Sequence, residues 1–562
     1  MKLTGAQIII KKLLEHNIRV VFEFPGGSIC PILDELTRAR KIKLLVSRHE
    51  QAAIHAADAY ARLTKQPSVC MATSGPGASN LVTGIANAYM DSAPMVIFTG
   101  QVAEWDLKKD RLVRQRGFQE LDIVSVVKSI TKAAYLVNNL SSLGPIIDRA
   151  FFIAEEGRPG PVLIDIPINI QYTRINYKGK KANFKEKRLT CSKEIILEIT
   201  KRLKKAKRPL VLAGGGVILS SSQTYLLSLL KKYRLPVAET LMGLTSVPNN
   251  YEFNLGLVGY AGSRVASLAI KEADFILGLG LRFDNRAFPE ARDEFSKKAY
   301  LVHVDCDKHE LNHRVLVDKA ILCDCYLFLK GFLAGLRNYK VSDAWLKRIH
   351  TLKTEYGFAN IKNKPLMRPV SILNRLSELL KDKNAVITTD VGQHQLWTAQ
   401  YFKFNRPNSL ITSGGLGTMG FGLPAAIGVQ MARPRSLVFN ITSDGSLQMN
   451  IQELATVRDY KLPVKIILFN NQCLGLVRQI QEFAFCSRYV STRINSKVNF
   501  VKIAQAYGLE AFCVTRPQDL EAALRKVIAS KKSILLDLRI NEFENVYPVR
   551  IKGKVIYESA RV

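Results

Sequence analysis

One strand–helix–strand pattern in the last third of the chain constrains its fold most strongly. The apolar run at 436–442 is typical of a buried parallel strand, and the small residues at 443–446 predict a tight turn that opens a helix. A second apolar run, at 464–469, ends in a pair of asparagines. Because successive parallel strands present their carboxyl ends at one edge of a sheet, Asp444 and Asn471 are expected to lie together there.

Asp444 and Asn471 offer one carboxylate and one amide oxygen. This pair is too small for an all-protein calcium cage, but it suits Mg²⁺, which keeps water ligands and shares its shell with phosphates of a substrate or cofactor. The two residues alone also allow a simpler interpretation, in which Asp444 only caps the helix and the asparagines only form a turn.

The same stretch resembles the diphosphate-binding signature of thiamine-diphosphate enzymes, in which an Asp-Gly turn is followed by a paired asparagine at about this distance. The resemblance implies that Asp444, the Asn471 side chain and the Cys473 carbonyl hold Mg²⁺. The first glycine of the signature is Ser443 in this chain. The resemblance therefore favours the metal interpretation over the cap and turn.

Length and composition indicate a globular protein of about three domains, because 562 residues exceed what one core holds. No segment reaches the ~18 uncharged apolar residues of a membrane helix, and the first residues lack a signal-peptide core. Nine cysteines without a CxxC motif fit free thiols in a reducing compartment. We therefore expect a cytoplasmic protein without a membrane partner.

The formal net charge of +33 is the one unusual property of the composition. Lysines and arginines are spread along the whole chain, and no basic module interleaved with aromatic residues is present. The charge therefore indicates a basic surface rather than a specific nucleic-acid site. Attraction of phosphate-bearing substrates is the alternative.

Residues 1–175 are predicted to form a first domain of alternating helices and short strands. Glu50 begins a helix packed by alanines, whose small size allows another element to approach closely. Residues 71–102 closely resemble the pyrimidine-binding domain of the acetohydroxyacid (acetolactate) synthase family. By this resemblance Glu50 hydrogen-bonds the aminopyrimidine ring of thiamine diphosphate, because a partly desolvated carboxyl can share its proton with a ring nitrogen.

The resemblance also implies that residues of two loops line the reacting centre, where loop N–H groups and an amide stabilise developing negative charge. These residues are Gly27, Ser28, Phe118 and Gln119.

Four of the departures from the family pattern lie near the expected reacting centre or substrate channel. The family usually has glycine at Glu23, alanine at Ser28, lysine at Ile168 and tryptophan at Ile480. The lysine would place a positive charge near the substrate channel, and isoleucine in place of tryptophan leaves more room and no indole face. These departures leave open whether the acceptor is a second 2-keto acid, as in most of the family, or a larger carbonyl compound.

A basic linker at about 173–193 leads to a predicted middle domain, residues 194–340, in which a glycine run follows a strand and opens a helix. In the family this domain binds FAD, and the positions that match are Arg158, Gly214, Gly215, Thr240, Leu241, Gly280, Arg282, Asp284, Arg286, Asp305 and Asp324. Arg286 and Ile480 are also implied to contact substrate. The usual Met-His-Gly of the family is Tyr260-Ala261-Gly262 here. A vestigial nucleotide fold with an empty site is the alternative.

After a linking helical stretch at about 341–368, residues 365–545 are predicted to form the last domain. Residues 415–420 read GxGxxG between a strand and a helix, so an NAD-dependent dehydrogenase is a rival interpretation. The rival is weaker because Asp444 is followed by a turn and a second oxygen ligand. The resemblance assigns to thiamine diphosphate Val391, Gly392, Gln393, His394, Gly417, Met419, Asp444, Gly445, Ser446, Asn471, Cys473, Leu474, Gly475 and Leu476. The tail, residues 546–562, has no clear counterpart in the family.

The expected fold is α/β, with three doubly wound parallel-sheet domains in the architecture of thiamine-diphosphate enzymes such as pyruvate oxidase and decarboxylase. The resemblance implies that pyruvate is decarboxylated on thiamine diphosphate and that its two-carbon unit passes to a second 2-keto acid. A nucleotide-linked keto-sugar acceptor is the main alternative, and a non-catalytic relic is a weaker one.

The family assembles each cofactor site from two subunits, so a homodimer or homotetramer is implied. The resemblance leaves room for a small regulatory subunit, and no specific nucleic-acid partner is expected.

Overall fold

Three six-stranded parallel sheets follow one another along the chain. A computed structural model describes residues 2–110, 112–179, 181–185, 188–288, 292–357, 367–494, 498–551 and 554–557. The parallel sheets with helices on their faces confirm the α/β prediction. The predicted domain boundaries at 1–175, 194–340 and 365–545 stay predictions.

The first sheet uses six of the eight strands that precede the linker. The strands are β1 (Lys2–Thr4), β2 (Val20–Glu23), β3 (Lys43–Val46), β4 (Ser68–Ala72), β5 (Met95–Gln101), β6 (Ala133–Leu136), β7 (Pro161–Pro167) and β8 (Arg174–Asn176). The helices are α1 (Gly5–Glu15), α2 (Cys30–Arg38), α3 (Glu50–Thr64), α4 (Pro76–Asn80), α5 (Val82–Asp91), α6 (Ile123–Val127), α7 (Leu140–Glu155) and α8 (Ile168–Tyr172). The sheet order is β3-β2-β4-β5-β7-β6, and β1 pairs separately with β8 in antiparallel fashion.

The middle sheet has the order β11-β10-β9-β12-β13-β14. Its strands are β9 (Pro209–Ala213), β10 (Val237–Glu239), β11 (Asn254–Leu257), β12 (Phe275–Leu279), β13 (Tyr300–Asp305) and β14 (Lys319–Leu322). The helices are α9 (Lys193–Lys205), α10 (Gly215–Leu219), α11 (Gln223–Tyr233), α12 (Arg264–Glu272), α13 (Arg292–Phe295), α14 (Cys325–Gly335) and α15 (Asp343–Tyr356). Helix α15 lies in the predicted linking stretch, whose residues 358–366 are outside the described part of the chain.

The last sheet has the order β16-β15-β17-β18-β20-β19. Its strands are β15 (Ala385–Thr389), β16 (Leu410–Ile411), β17 (Leu437–Ser443), β18 (Lys465–Asn470), β19 (Glu510–Val514) and β20 (Ile534–Arg539). The helices are α16 (Pro369–Leu379), α17 (Gln393–Tyr401), α18 (Gly422–Ala432), α19 (Asp444–Met449), α20 (Glu453–Asp459), α21 (Gly475–Ala484), α22 (Phe500–Ala506) and α23 (Leu520–Ala529). In the tail, β21 (Val549–Ile551) and β22 (Lys554–Ile556) form an antiparallel pair.

The two outer sheets share one strand order. When strands are numbered within each unit, β2–β7 and β15–β20 both run 2-1-3-4-6-5, whereas β9–β14 run 3-2-1-4-5-6, the order of dinucleotide-binding folds. In open sheets of this kind ligands bind at the carboxyl ends of the strands, where the strand order reverses. Those points are β2/β4, β9/β12 and β15/β17.

The first and last units share a hydrophobic core through helices α3 and α18. An ideal Cβ on Gly428 of α18 would lie 1.9 Å from the carbonyl oxygen of Ala56 in α3, so the two backbones are almost in contact. The alanines of α3 make this approach feasible, as the sequence predicts. Within the described residues, no helix is long and apolar enough to cross a membrane.

Candidate functional site

The carboxyl ends of β17 and β18 place Asp444 and Asn471 at one edge of the last sheet. Strand pairing aligns Ser443 with Phe469, so Asp444 and Asn470 both lie at the strand ends. The backbone amides of Gly445 and Gln472 lower the pKa of the Asp444 carboxyl, but burial raises it by more. The predicted strand–helix–strand pattern is thus confirmed, although the predicted single helix is split into α19 and α20.

Asp444 has the properties of a cation ligand. It is buried, and its Oδ1 atom has no hydrogen-bond partner among the described residues. Burial raises the pKa of its carboxyl to about 6, so the ionised form lacks compensation that a cation would supply. The cap interpretation fails for this residue, because the helix is capped by the Ser443 hydroxyl, which accepts from the Ser446 amide.

Asn471 is the second candidate metal ligand of the pair. Its Oδ1 accepts from the Cys473 amide at 3.3 Å, so the turn that the sequence allows is also formed. Gln472 between them adopts the left-handed backbone conformation, with φ 56°. One carboxylate, one amide oxygen and nearby carbonyls form a donor set that suits Mg²⁺ sharing its shell with phosphates.

Further predicted cofactor residues meet at this edge, which we call the Asp444 edge and define as the carboxyl ends of β15, β17 and β18. An ideal Cβ on Gly445 would lie 2.9 Å from Leu474 and 3.7 Å from Met419, and the Ser446 hydroxyl donates to the Val391 carbonyl at 3.3 Å. Gly417, in the loop that carries Met419, has φ 79°, a conformation that favours glycine.

Gln393 and Gly475 pack closely at the Asp444 edge. A Cβ on Gly475 would lie 2.0 Å from Gln393 Oε1 and 2.7 Å from Asn471 Nδ2, so only glycine fits there. Gln393 Nε2 donates to Gln479 Oε1 at 2.9 Å. The sequence gave no sign of Gln479, because this contact joins residues 86 positions apart.

Other predicted residues lie near the Asp444 edge but are packed against protein atoms. His394 is buried and its Nε2 is 2.5 Å from Asp390, whose carboxylate accepts from the amides of Gly420 and Gly422. Gly392 lies against the His394 ring, and Leu476 packs on a neighbouring core. His394 therefore supports the loop geometry through Asp390.

The corresponding point of the first sheet, between β2 and β4, carries Glu50 and the 25–28 loop. Glu50 is the first residue of α3, is 6% exposed and accepts from Asn80 Nδ2 at 2.9 Å. A Cβ on Gly77 would lie 3.2 Å from Glu50 Oε1, so glycine keeps room beside the carboxylate. The Glu50 carboxyl is therefore buried, oriented by Asn80 and next to open space at this point of the sheet.

The 25–28 loop is held by the hydroxyl of Ser28. Its Oγ accepts from the Ser74 amide at 2.9 Å and lies 2.8 Å from Thr73 Oγ1, while its own amide donates to Thr73 Oγ1 at 3.3 Å. Nothing lies within 4 Å of an ideal Cβ on Gly27, so that side of the loop is open. The hydroxyl that departs from the family's alanine thus ties this loop to the next one.

The departure at Glu23 places a carboxyl directly before the same loop. Glu23 is 3% exposed, and its Oε2 atom lacks a partner among the described residues. Burial raises the pKa of Glu23 to about 7. Phe118 and Gln119, which the sequence places at the reacting centre, lie on a different loop, where Phe118 is 87% exposed.

Within one chain the first and last units are joined by hydrogen bonds, since Asn87 Oδ1 accepts from the Ser413 and Thr418 hydroxyls at 2.6 and 3.1 Å. The residues just before α3 contact α20 and the residue that follows it. The Arg48 amide donates to Glu453 at 2.9 Å, and the Val46 amide donates to the Tyr460 hydroxyl at 2.8 Å. In the described part of the chain, no hydrogen bond or ion pair joins Glu50 to the Asp444 edge.

The reversal point of the middle sheet lies between Gly214 and Gly280. A Cβ on Gly214 would lie 2.1 Å from the Gly280 carbonyl, and Gly280 has φ 55°, so both positions require glycine. Gly215 opens α10, and the 3-10 turn Leu241–Gly243 begins after Thr240, whose hydroxyl caps it. The backbone therefore offers the closely packed, glycine-lined edge that a dinucleotide needs.

The charged residues predicted for FAD have protein partners. Arg158 Nη1 lies 2.6 Å from Glu310 and 3.2 Å from Asp307, and Asp324 caps α14 by accepting from the Leu327 amide. Burial raises the pKa of Asp305 to about 6. Arg282 lies 4.0 Å from Asp284, a long ion pair.

Comparison with known proteins gives consistent matches along the chain. Residues 3–126 match the N-terminal TPP binding domain of thiamine pyrophosphate enzymes, residues 196–332 match the central domain, and residues 390–538 match the C-terminal TPP binding domain. The acetolactate synthase large subunit of Cyanidium caldarium is 38% identical over 98% of this chain and 95% of its own length. The chain belongs to the acetolactate synthase family.

Other members of the acetolactate synthase family match to a similar extent. The large subunit of Haemophilus influenzae is 35% identical over 99% of this chain and 98% of its own length. The probable large subunit of Methanocaldococcus jannaschii is 37% identical, with 98% and 96% covered. The resemblance recognised in the sequence is confirmed, and the chain is a thiamine-diphosphate-dependent carboligase of the acetolactate synthase type.

Family membership removes the support for a dehydrogenase. The GxGxxG run at 415–420 lies inside the C-terminal TPP binding match and follows β16, the edge strand of its sheet. A dinucleotide fingerprint instead follows the first strand beside the reversal point.

Proposed function

We propose that the protein decarboxylates pyruvate and transfers the two-carbon unit to a second 2-keto acid, with a second pyruvate giving acetolactate. The observation that carries the proposal is that a buried carboxylate lies at the reversal point of each of the two outer sheets. The buried carboxylate of Glu50 lies at the reversal point of the first sheet. The buried carboxylate of Asp444, whose Oδ1 has no hydrogen-bond partner among the described residues, lies at that of the last sheet.

The Asp444 edge supports a magnesium site in this proposal. Asp444, the Asn471 amide oxygen and the Cys473 carbonyl would hold Mg²⁺ and through it the diphosphate of the cofactor, and Met419 and Leu474 would cover Gly445 beside it. Thiamine diphosphate, when bound, supplies the electron sink for decarboxylation. Glu50 would hold a proton at the aminopyrimidine ring, and the buried surroundings would exclude water.

The middle sheet supports FAD as a further cofactor. Its strand order and the glycines at its reversal point suit a dinucleotide, although Arg158 would have to exchange carboxylate partners to reach it. Co-elution of flavin absorbance with the protein would support this assignment. A colourless protein that takes up no added FAD would contradict it.

The assembly we propose is a homodimer or homotetramer, in which Glu50 of one chain faces the Asp444 edge of the other. Its support is the lack of a direct link between these residues within the described part of one chain. Apolar side chains beside both halves, including Phe118, Leu416 and Val490, are exposed and would be covered by a second copy. A small regulatory subunit is a further proposed partner, since relatives carry the name large subunit.

Product analysis tests the reaction. Purified protein would be incubated with pyruvate, thiamine diphosphate, Mg²⁺ and FAD, and acetolactate, CO₂ and acetaldehyde would be measured. Accumulation of acetolactate is expected. Release of CO₂ and acetaldehyde without acetolactate would show that another acceptor is used, and nucleotide-linked keto-sugars would be tested next, because Ile168 and Ile480 remove the family's lysine and tryptophan. Absence of CO₂ release would overturn the proposal.

A further inference from the structure

Glu120 holds together the loop that presents Phe118 and Gln119. We call the segment between β5 and α6 the 103–121 loop, of which residues 103–110 and 112–121 are described. The two carboxylate oxygens of Glu120 accept from different parts of it, with Oε1 2.7 Å from the Lys108 amide and Oε2 2.7 Å from the Arg116 amide. Its own amide donates to the Gly117 carbonyl at 3.1 Å. One side chain thus joins backbone positions that lie 12 and 4 residues away.

The electrostatics of Glu120 agree with this geometry. Partial burial would raise the pKa of its carboxyl, but the backbone N–H groups of Lys108, Arg116 and Gly117 outweigh burial and hold the pKa below its usual value. The carboxylate is therefore ionised at neutral pH, and its hydrogen bonds are charge-assisted.

The backbone held by Glu120 is strained at the neighbouring residue. Gln119 has φ 62°, a left-handed conformation that a residue with a Cβ adopts at a cost, and it persists only where the surroundings impose it. Gly75 provides the space, since a Cβ there would lie 2.8 Å from the Gln119 carbonyl oxygen. Phe118, directly before it, is turned into solvent.

The far end of the 103–121 loop is anchored separately. Gln101 Nε2 donates to the Leu121 carbonyl and to Asp165, each at 2.8 Å. This anchor fixes where the loop ends but not how residues 116–120 are shaped. At that apex the Glu120 carboxylate bonds to the Arg116 amide, and the side-chain amide of Gln115 lies against the backbone of Gln119 and Glu120.

We propose that Glu120 is a positioning residue. Its two hydrogen bonds within the 103–121 loop hold Phe118 and Gln119 in the positions from which they contact the second substrate. This inference rests on the proposed function, which assigns Phe118 and Gln119 to the reacting centre. Glu120 itself touches neither substrate nor cofactor in this proposal.

The test compares Glu120→Gln with Asp110→Asn in the protein loaded with its cofactors. Glutamine keeps the size of the side chain, but its NH₂ group faces an N–H donor, so one of the two bonds is lost. Asp110→Asn also removes one negative charge from this loop, but among the described residues the Asp110 carboxylate accepts only from the nearby Leu112 amide, at 2.9 Å. Two readouts are needed: limited trypsin cleavage within the loop, which contains Lys108, Lys109, Arg111, Arg114 and Arg116, and steady-state kinetics with pyruvate.

We expect Glu120→Gln to be cleaved in the loop about tenfold faster or more, since a lost charge-assisted hydrogen bond has that weight in an equilibrium. We also expect a higher KM for pyruvate, unchanged thiamine diphosphate affinity and an unchanged melting temperature. Asp110→Asn should resemble the wild type in every readout. Hydrogen exchange of residues 104–110 and 112–120 gives a second measure of opening if a partner subunit shields the bonds from trypsin.

Two results would overturn the inference in distinguishable ways. Cleavage and hydrogen exchange of Glu120→Gln that match the wild type would show that Glu120 does not hold the loop, and the proposed function would stand. Faster opening with unchanged kinetics would show that the loop does not serve the second substrate. In the second case Phe118→Ala and Gln119→Ala should also leave the kinetics unchanged, so that the assigned site itself fails.

Discussion

The guanidinium of Arg286 lies over the ring of Tyr260, with its central carbon 5.0 Å from the ring centre. The backbone reinforces this contact, because the Tyr260 amide donates to the Arg286 carbonyl at 2.7 Å. Among the described residues Arg286 has no acidic partner within ion-pair distance, and its predicted role is to contact the substrate. Tyr260 occupies a position where the family usually has methionine, and the stack is therefore a feature of this chain.

Removing the Tyr260 ring should weaken binding of the second keto acid. An exposed cation–π contact contributes about 0.5–1 kcal/mol, so Tyr260→Ala should raise the KM for the acceptor about two- to fivefold while kcat stays nearly constant. Tyr260→Phe keeps the ring and should keep the wild-type KM. The measurement is initial rate against keto-acid concentration. An Arg286→Ala variant with wild-type KM would show that Arg286 does not bind the acceptor at all.

Replacing Glu50 by glutamine should abolish most turnover without unfolding the protein. In the wild type Asn80 Nδ2 donates to the Glu50 carboxylate at 2.9 Å, and the amide oxygen of glutamine can still accept this bond. The glutamine amide cannot exchange a proton with the cofactor. Loss of a general acid–base group lowers rates by about 10²–10⁴-fold, and acetolactate formation should fall by this amount.

A matched control for Glu50 exists in the same domain. Glu35 Oε1 accepts from Gln7 Nε2 at 3.1 Å, so Glu35→Gln changes a similar carboxylate–amide pair away from the proposed site. It should retain activity, and both variants should melt near the wild-type temperature. Wild-type turnover in Glu50→Gln would refute the assigned role of Glu50.

Asp444→Asn should separate metal binding from folding. The carboxylate is buried with one oxygen unpartnered, so the neutral amide should leave the cofactor-free protein at least as stable as the wild type. A ligand at about 100 times its Kd stabilises the native state by about 2.7 kcal/mol, and the rise in melting temperature with thiamine diphosphate and Mg²⁺ should disappear in the variant. Asp459→Asn, on the exposed face of α20, should keep that rise. A full rise in Asp444→Asn would exclude Asp444 as a metal ligand.

The sequence was sufficient for β17 and β18 and for the meeting of Asp444 with the asparagine loop. Continuous apolar runs identify buried parallel strands, and parallel pairing then fixes which strand ends share an edge. The same reasoning predicted a helix after β17. It did not predict that this helix is interrupted between α19 and α20, where Asn450 Nδ2 donates to the Gly420 carbonyl. A tertiary contact of this kind overrides helical periodicity and leaves no local signal.

Side-chain partners were less accessible to prediction than backbone positions. Ser443 looks like a small substitute for glycine, yet its hydroxyl caps α19 and frees Asp444 from that role. Arg158 was assigned to FAD from motif position, but its partners Asp307 and Glu310 lie about 150 residues away in sequence. Which charges pair depends on how separate sheets pack together, and a linear pattern does not encode it.

The contact between α3 and α18 yields a stability prediction that is independent of any cofactor. In Gly428→Ala the new methyl group would lie 1.9 Å from the Ala56 carbonyl oxygen, so the two helices must move apart, and overpacking of this kind costs about 1–3 kcal/mol. Gly331 in α14 is a matched control, because the nearest atoms to its ideal Cβ belong to Ile196 at 3.7 Å. Gly331→Ala should stabilise the protein by about 0.4–1 kcal/mol, since alanine lowers the entropy of the unfolded chain. Denaturant unfolding of both variants measures the difference, and equal midpoints would show that the first and last units are not held at this distance.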